Sequence, residues 1–354
     1  MDEDSGQEQF SFIIQKFLPD PISWNHLKDL PQLKNCEVLQ NNQGSLFKLS
    51  KNEYEAILNR EVEGEKEEYS LKNALSELFL SDEELTGIVE SVRYKKNIIL
   101  QGPPGTGKTF MAKRLAYLML GEKDESKIEM VQFHQSYSYE DFMQGYRPTE
   151  EGRFKLENGV FFRFCKRAQA DPDRDYFFII DEINRGNLSK IFGELMLLIE
   201  KDKRGKKHAV NLTYSSSIET KFYIPKNVFL IGTMNTADRS LAVVDYALRR
   251  RFAFITMQPM FNEKFRNHLL LNSDEETVDR IMAKIESLNS MIKTERNLGE
   301  GFQIGHSYFC NPDTMAGDEK WFHFVVENEI GPLIEEYWFD NLEFARSLKT
   351  NLLT

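Results

Sequence analysis

From Ile98 onward, short apolar runs alternate with longer stretches whose apolar positions recur every three or four residues. Short apolar runs bounded by turn residues fit buried strands, and three-and-four spacing fits helices. The runs predict strands at Ile98–Gln101, Glu129–Phe133, Tyr176–Ile180, Val228–Gly232 and Phe252–Met257. The spaced stretches predict helices over Thr109–Leu120, Gly159–Ala170, Leu188–Glu200 and Val243–Arg250. Such alternation of strand and helix is the pattern of a parallel sheet with helices on its faces, an α/β fold. Ser81-Asp-Glu-Glu84 has the form of a capping box and opens a further helix towards Arg93. Ala209 to Ile224 carries two alternating runs around Ser215-Ser-Ser217, the signature of an inserted hairpin. From Asn262 to Thr354 the spacing is helical throughout. Val278, Ile281, Met282, Ile285, Leu288 and Ile292 mark one long apolar stripe, and the segment reads as a small helical lid.

The first 70 residues carry weaker signals. Phe10 to Leu18 is a short element ended by Pro19 and Pro21. Gly44 to Leu49 alternates as a strand, Asn52 to Leu58 suits a short helix, and Glu61 to Glu68 is an acidic linker. The expected organisation is a small N-terminal region of unknown role over 1–70, an α/β nucleotide-binding domain over 71–258 and a helical lid over 259–354.

Composition narrows the classes. Of 354 residues, 41% are hydrophobic and 29% charged, which suits packed cores with a solvated surface. A formal net charge of −11 argues against a broadly basic nucleic-acid surface. A ring or groove needs only a few local cations, so DNA contact is not excluded. Cys36, Cys165 and Cys310 are far apart and form no metal or redox pattern, as expected of reduced intracellular thiols. The first residues are acidic and polar, unlike a signal peptide, and no apolar run approaches the roughly 20 residues of a membrane span. The expectation is a cytoplasmic protein without a membrane segment.

The chemistry concentrates at three strand ends. Gly102-Pro-Pro-Gly-Thr-Gly-Lys-Thr109 follows the first strand and opens a helix, the order a phosphate loop requires. Gly102, Gly105 and Gly107 let backbone N–H groups turn inward around Pro103, Pro104 and Thr106, and the helix adds its positive dipole end. Lys108 is expected at the β- and γ-phosphates, and the Thr109 hydroxyl on Mg²⁺. Asp181-Glu182 ends the run Tyr176–Ile180, where ligands of open α/β sheets bind. Asp181 suits the Mg²⁺ and Glu182 the attacking water, while Asn184, Arg185 and Asn187 follow either as a polar turn or as an extension of the site. Asn235, at the tip of Val228–Gly232, suits the γ-phosphate or the lytic water because it donates and accepts without charge. A rival reading takes Asn235-Thr-Ala-Asp238 as a guanine reader of the Asn-Lys-x-Asp kind, but the Lys is missing. Arg249, Arg250 and Arg251 end a helix, either complementing its dipole or reaching a neighbouring subunit's nucleotide as arginine fingers.

These residues together resemble the AAA+ superfamily, and the match narrows to the McrB family of restriction motors. It is carried by Met130–Pro148, Asp181-Glu-Ile-Asn-Arg-Gly-Asn187, Met234-Asn-Thr-Ala-Asp-Arg-Ser240, Val243–Phe252 and Gly305-His-Ser-Tyr-Phe309, and it covers roughly Leu71 to Leu353. The resemblance implies an AAA+ P-loop NTPase sheet with a C-terminal lid, a hexameric homo-oligomer, and GTP as favoured fuel with ATP as the other candidate. It also implies Mg²⁺ and a McrC-type nuclease subunit as partner. DNA would be met through the ring complex and a reader domain not evident in this sequence. By position, Lys108 and Thr109 become Walker A, Asp181 and Glu182 Walker B, Asn235 sensor 1, Arg250 and Arg251 trans fingers, and Arg185 a further phosphate-side contact. Thr106 stands where Val is expected, and Gln303 where an Arg is common, which puts a sensor-2 cation in doubt. The first 70 residues match no modified-base reader. The other enzyme reading is a MoxR-like ATPase that remodels proteins. A non-hydrolysing scaffold is disfavoured because Glu182 is present. Within His134–Pro148, Phe142 suits core packing, and Tyr137, Tyr139 and Tyr146 suit subunit packing or a pore-lining loop that grips a substrate.

Overall fold

A computed structural model of the chain describes residues 33, 36, 50, 53, 67–215, 221–238, 246–310 and 318–354. Backbone contacts divide the chain into Met1–Glu67 and Glu68–Thr354. The elements expected at Phe10–Leu18 and Gly44–Leu49 lie outside the described residues. Of Asn52–Leu58 only Glu53 is described; it is helical, and its N–H donates to Ser50 Oγ at 3.3 Å.

In the second unit, helices α1 (Leu71–Glu77) and α2 (Asp82–Lys95) lead into strand β1 (Asn97–Gly102) and helix α3 (Lys108–Leu120). The expected capping box at Ser81 is present, with Ser81 Oγ accepting from the Glu84 N–H and Glu84 accepting from the Ser81 N–H. Strand β2 (Ile128–Gln132) is followed by an antiparallel ribbon, β3 (Gln144–Pro148) and β4 (Phe154–Asn158), and then by α4 (Val160–Ala170). The rest of the α/β layer is β5 (Tyr176–Asp181), α5 (Leu188–Phe192), β6 (Val228–Asn235) and β7 (Ala253–Thr256).

Five strands form one sheet in the order β2-β5-β6-β1-β7, and every pairing is parallel. All five predicted strands are in it. Successive residues of β5 serve opposite faces, as strand geometry dictates. Phe177 and Ile179 pack with α1–α3, while Phe178 and Ile180 pack with α4 and α5. Burial on both faces explains why these runs are apolar without alternation. The register sets Gly102 beside Asn235 and Gln132 beside Asp181, so these candidate positions share the carboxyl edge of the sheet.

Two expectations are modified and one element is new. The helix predicted over Leu188–Glu200 is broken after Phe192, because Gly193 takes φ 47°, ψ −126°; a short helical turn, Leu195–Leu198, follows. The β3–β4 ribbon was not anticipated; most of its residues are exposed and it carries Gly and Pro, so it shows no apolar alternation. In the hairpin expected over Ala209–Ile224, one bridge pairs Val210 with Phe222, and 216–220 lie outside the described residues. Of the helix expected over Val243–Arg250, Tyr246–Arg249 is described and helical.

The last layer is helical: α6 (Glu263–Leu269), α7 (Glu275–Thr294), α8 (Asp318–Val325), α9 (Gly331–Tyr337) and α10 (Leu342–Leu353). The predicted stripe of α7 is buried at Val278, Ile281, Ile285, Leu288 and Ile292, around a core that includes Trp321 and Trp338. Among the described residues, no helix is long and apolar enough to cross a membrane.

Candidate active site

The chain leaves β1 at Gly102 and enters α3 at Lys108 through a loop that depends on glycine. Gly105 and Gly107 hold φ of +73° and +72°, a region that L side chains rarely adopt. At Gly102 a Cβ would lie 2.2 Å from the Met257 carbonyl oxygen. The hydroxyl of Thr106, the departure from the expected Val, is buried and donates to the Pro103 carbonyl at 2.9 Å, so this Thr closes the turn. Lys108 is buried within the loop and donates Nζ to the Gly102 and Pro103 carbonyls at 3.1 and 2.7 Å. Burial pushes its ammonium down to about 8, against the pull of Glu182, Asp181 and Asp238.

Across from the loop, the Thr109 hydroxyl donates to Asp181 Oδ1 at 2.7 Å. Thr233, a β6 residue that the sequence reading did not single out, donates to the same oxygen at 2.5 Å and accepts the Glu182 N–H at 3.2 Å. Glu182 lies in the left-handed region at φ 51°, ψ 46°. Such a backbone costs a non-glycine residue about 1 kcal/mol or more, and here it turns the carboxylate off the strand axis. One carboxylate oxygen accepts from Asn235 Nδ2 at 2.6 Å and the other from Arg185 Nε at 3.2 Å. Arg185 also donates to Asp238 at 3.2 Å. Asp181, Glu182, Arg185, Asn235 and Asp238 are thus brought together beside Lys108 and Thr109. Asn187 caps α5 by accepting the Lys190 N–H at 3.1 Å, and Asn184 is buried with no hydrogen-bond partner for its Oδ1.

The residues fit a magnesium–triphosphate. Thr109 and Asp181 converge as hard oxygen donors, and Mg²⁺ is usually held by one or two protein oxygens plus substrate phosphates.

The lid closes directly onto the phosphate loop. The Gly305 N–H donates to the Pro104 carbonyl at 3.1 Å and the Ser307 N–H to the Gly105 carbonyl at 2.8 Å. A Cβ on Gly305 would lie 2.0 Å from the Gly105 backbone, and one on Gly105 would lie 2.3 Å from the Tyr308 ring. His306 accepts the Met260 N–H at its Nδ1, 3.0 Å away, which fixes the neutral tautomer with the proton on Nε2. Its ring packs edge-on against Phe79 and Phe265, and burial lowers its pKa to about 4. A Gly-His-Ser-Tyr-Phe run was visible in the sequence, but nothing there tied it to the loop. Gln303 donates to the Asn289 carbonyl at 3.5 Å, within the lid.

Arg250 and Arg251 occupy opposite surroundings. Arg251 is buried, with Nε donating to the Met196 carbonyl at 2.6 Å and an ion pair to Glu200 at 2.8 Å. Arg250 is 69% exposed and meets the same Glu200 oxygen at 3.2 Å. In the segment His134–Pro148, Phe142 is fully buried and Tyr137 stacks on Phe133, while Tyr139 donates to Glu194 at 2.6 Å. Tyr146 is half exposed.

Two segments of the chain match known family models. Residues 97–252 match the AAA domain of the dynein-related subfamily, and residues 280–346 match the McrB alpha-helical lid domain. The chain is 54% identical over 280 residues to the type IV methyl-directed restriction enzyme EcoKMcrB subunit of Escherichia coli K12, covering 78% of this chain and 61% of that protein. It is 27% identical over 217 residues to the type II restriction enzyme BsuMI component YdiS of Bacillus subtilis, covering 51% of this chain and 63% of the relative. The chain therefore spans about six tenths of the length of these curated relatives. A crystal structure of a candidate ATPase from Cytophaga hutchinsonii aligns over 63% of this chain and 67% of that one with a TM-score of 0.33 at 17% identity, too slight a likeness to carry an argument. The chain thus carries an AAA domain with its phosphate loop over residues 97–252 and a McrB-type helical lid over residues 280–346.

Proposed function

We propose that the chain is the motor of a restriction system directed at modified DNA, hydrolysing GTP in preference to ATP as a hexameric ring. A McrC-type nuclease subunit cuts the DNA, and the ring drives translocation. The observation that carries this reading is the 54% identity to a methyl-directed restriction subunit over 280 residues. It is supported by the convergence of Lys108, Thr109, Asp181, Glu182 and Asn235 at one sheet edge. In this reading the chain divides into a small N-terminal region over 1–70, an α/β nucleotide-binding domain over 71–258 and a helical lid over 259–354.

The proposed reaction is in-line attack of water on the γ-phosphate. The loop N–H groups and Lys108 bind the phosphates. Thr109 and Asp181 would hold Mg²⁺, which neutralises triphosphate charge when bound. Glu182 accepts from and orients the water. Asn235, already bonded to the Glu182 carboxylate, fixes the angle of that carboxylate and stands ready to donate to the γ-phosphate. Arg185, held between Glu182 and Asp238, adds a phosphate-side cation. Arg250, exposed on the far end of the sheet, completes a neighbour's site as a finger. Such a finger is worth on the order of 10³ or more in rate. Arg251, buried and ion-paired, serves as the backing of that finger in this reading.

Glu182→Gln tests the core of the mechanism. Gln keeps the size and the Asn235 contact but loses the charge that orients water. Nucleotide affinity is expected within about threefold of the parent and turnover down by about 10² or more, as for other general-base losses. Turnover at the parental rate in this variant would remove Glu182 from the reaction.

A further inference from the structure

The turn bearing Arg250 and Arg251 is held from several sides by groups outside the phosphate site. Lys95 Nζ donates to the Arg250 carbonyl at 2.7 Å. Asn97, fully buried at the start of β1, donates Nδ2 to the Arg251 carbonyl at 3.0 Å and to the Ile199 carbonyl at 2.8 Å. Buried Arg204 donates to Asn97 Oδ1 at 2.5 Å and also to the Ile199 and Val228 carbonyls. This network ties the turn to β1, to the start of β6 and to the segment that ends at Glu200. Fixed to that frame, Glu200 offers one carboxylate oxygen, Oε1, to two guanidinium groups. Arg251 meets it at 2.8 Å with its side chain 8% exposed, and Arg250 meets it at 3.2 Å with its side chain 69% exposed. One partner is buried and the other is exposed.

The electrostatic setting points the same way. Lys95, Glu200, Arg204, Arg250 and Arg251 line a cavity of about 710 Å³ in which seven of ten lining side chains are Lys or Arg, and the acids among them are Glu200 and Asp202. Such a concavity attracts polyanions. A lone exposed Arg at its mouth samples many rotamers, and that freedom is lost when it grips a phosphate. A carboxylate anchored by a second, buried Arg narrows the search beforehand. It occupies one side of the Arg250 guanidinium and leaves further N–H donors for phosphate.

We propose that Glu200 is a positioning residue for the trans arginine Arg250: its Oε1, anchored by Arg251, preorganises the Arg250 guanidinium for the γ-phosphate bound by a neighbouring copy. The inference rests on the trans role of Arg250 proposed above. Misplacing a catalytic group by about 1 Å typically costs on the order of 10² in rate, which sets the expected scale.

The test is steady-state hydrolysis by the 354-residue chain, assembled with its nucleotide, for Glu200→Ala, Glu200→Gln, Arg250→Ala and the double variant Glu200→Ala/Arg250→Ala. Arg250→Ala should lower kcat by about 10³ or more. Glu200→Ala should lower kcat by roughly 10- to 100-fold with KM within about threefold. Glu200→Gln keeps an acceptor oxygen for buried Arg251 and should fall between Glu200→Ala and the parent, with an unchanged unfolding midpoint. The double variant should be no slower than Arg250→Ala alone. Mixing Glu200→Ala with Lys108→Ala should restore part of the turnover, because wherever the two alternate an intact phosphate loop meets a neighbour with an intact Glu200–Arg250 pair. Multiplicative losses in the double variant, or no change in kcat for both Glu200 variants while Arg250→Ala is slow, would overturn the positioning role and spare the trans role. Parental turnover in Arg250→Ala would overturn both.

Discussion

Acid should loosen the lid from the phosphate loop through a single residue, His306. Its side chain is 7% exposed, accepts the Met260 N–H at Nδ1, and lies against Phe79 and Phe265. Protonation at Nδ1 would break that hydrogen bond and bury a charge among aromatic rings. Burial therefore lowers the pKa from 6.5 to about 4. The unfolded chain binds this proton near pH 6.5, whereas the folded chain resists it until about pH 4. The stabilisation is thus complete above 6.5 and is lost as pH falls towards 4. Its full size is about 3 kcal/mol, at about 1.36 kcal/mol per pH unit, and about 2 kcal/mol of it is gone at pH 5. The assay is urea unfolding followed by tryptophan fluorescence at pH 7.5 and pH 5, since Trp321 and Trp338 are buried in the lid core. His306→Asn can still accept from Met260 and does not titrate. Other groups titrate alike in both proteins, so the stability gap between parent and variant should shrink by about 2 kcal/mol on acidification. A gap constant within about 0.5 kcal/mol would refute the reasoning.

Two further substitutions probe the same architecture. Gly305→Ala should cost about 1–3 kcal/mol, because its Cβ would lie 2.0 Å from the Gly105 backbone and force the lid off the loop; nucleotide titration should report the loss as weaker binding, and unchanged affinity would argue against docking. Phe142→Ala should cost about 3–5 kcal/mol by thermal or urea unfolding, since its ring is fully buried against Phe133, Phe161, Phe178 and Phe192.

The sheet was legible because its central strands are buried on both faces, so Tyr176–Ile180 and Val228–Gly232 are apolar at every position. The phosphate loop and the acids after β5 were legible because their chemistry is contiguous in the chain. Other features depend on contacts between distant residues. Thr233 joins Asp181 and Glu182 across 52 and 51 positions, and nothing at Thr233 itself signals it. The lid reaches the loop through the backbone N–H groups of Gly305 and Ser307, which every non-proline residue carries. The β3–β4 ribbon is mostly exposed and shows no apolar alternation, and the break at Gly193 needed a φ value that composition does not give. The run of arginines was conspicuous in the sequence, but the division into a buried Arg251 and an exposed Arg250 required Glu200, 50 positions away from Arg250.

The most direct test of the central claim is steady-state hydrolysis of GTP and ATP with Mg²⁺, measured side by side with and without a McrC-type nuclease subunit. The account predicts faster GTP turnover, stimulated further by the partner. ATP preference with no stimulation would contradict it and point to a protein-remodelling ATPase instead.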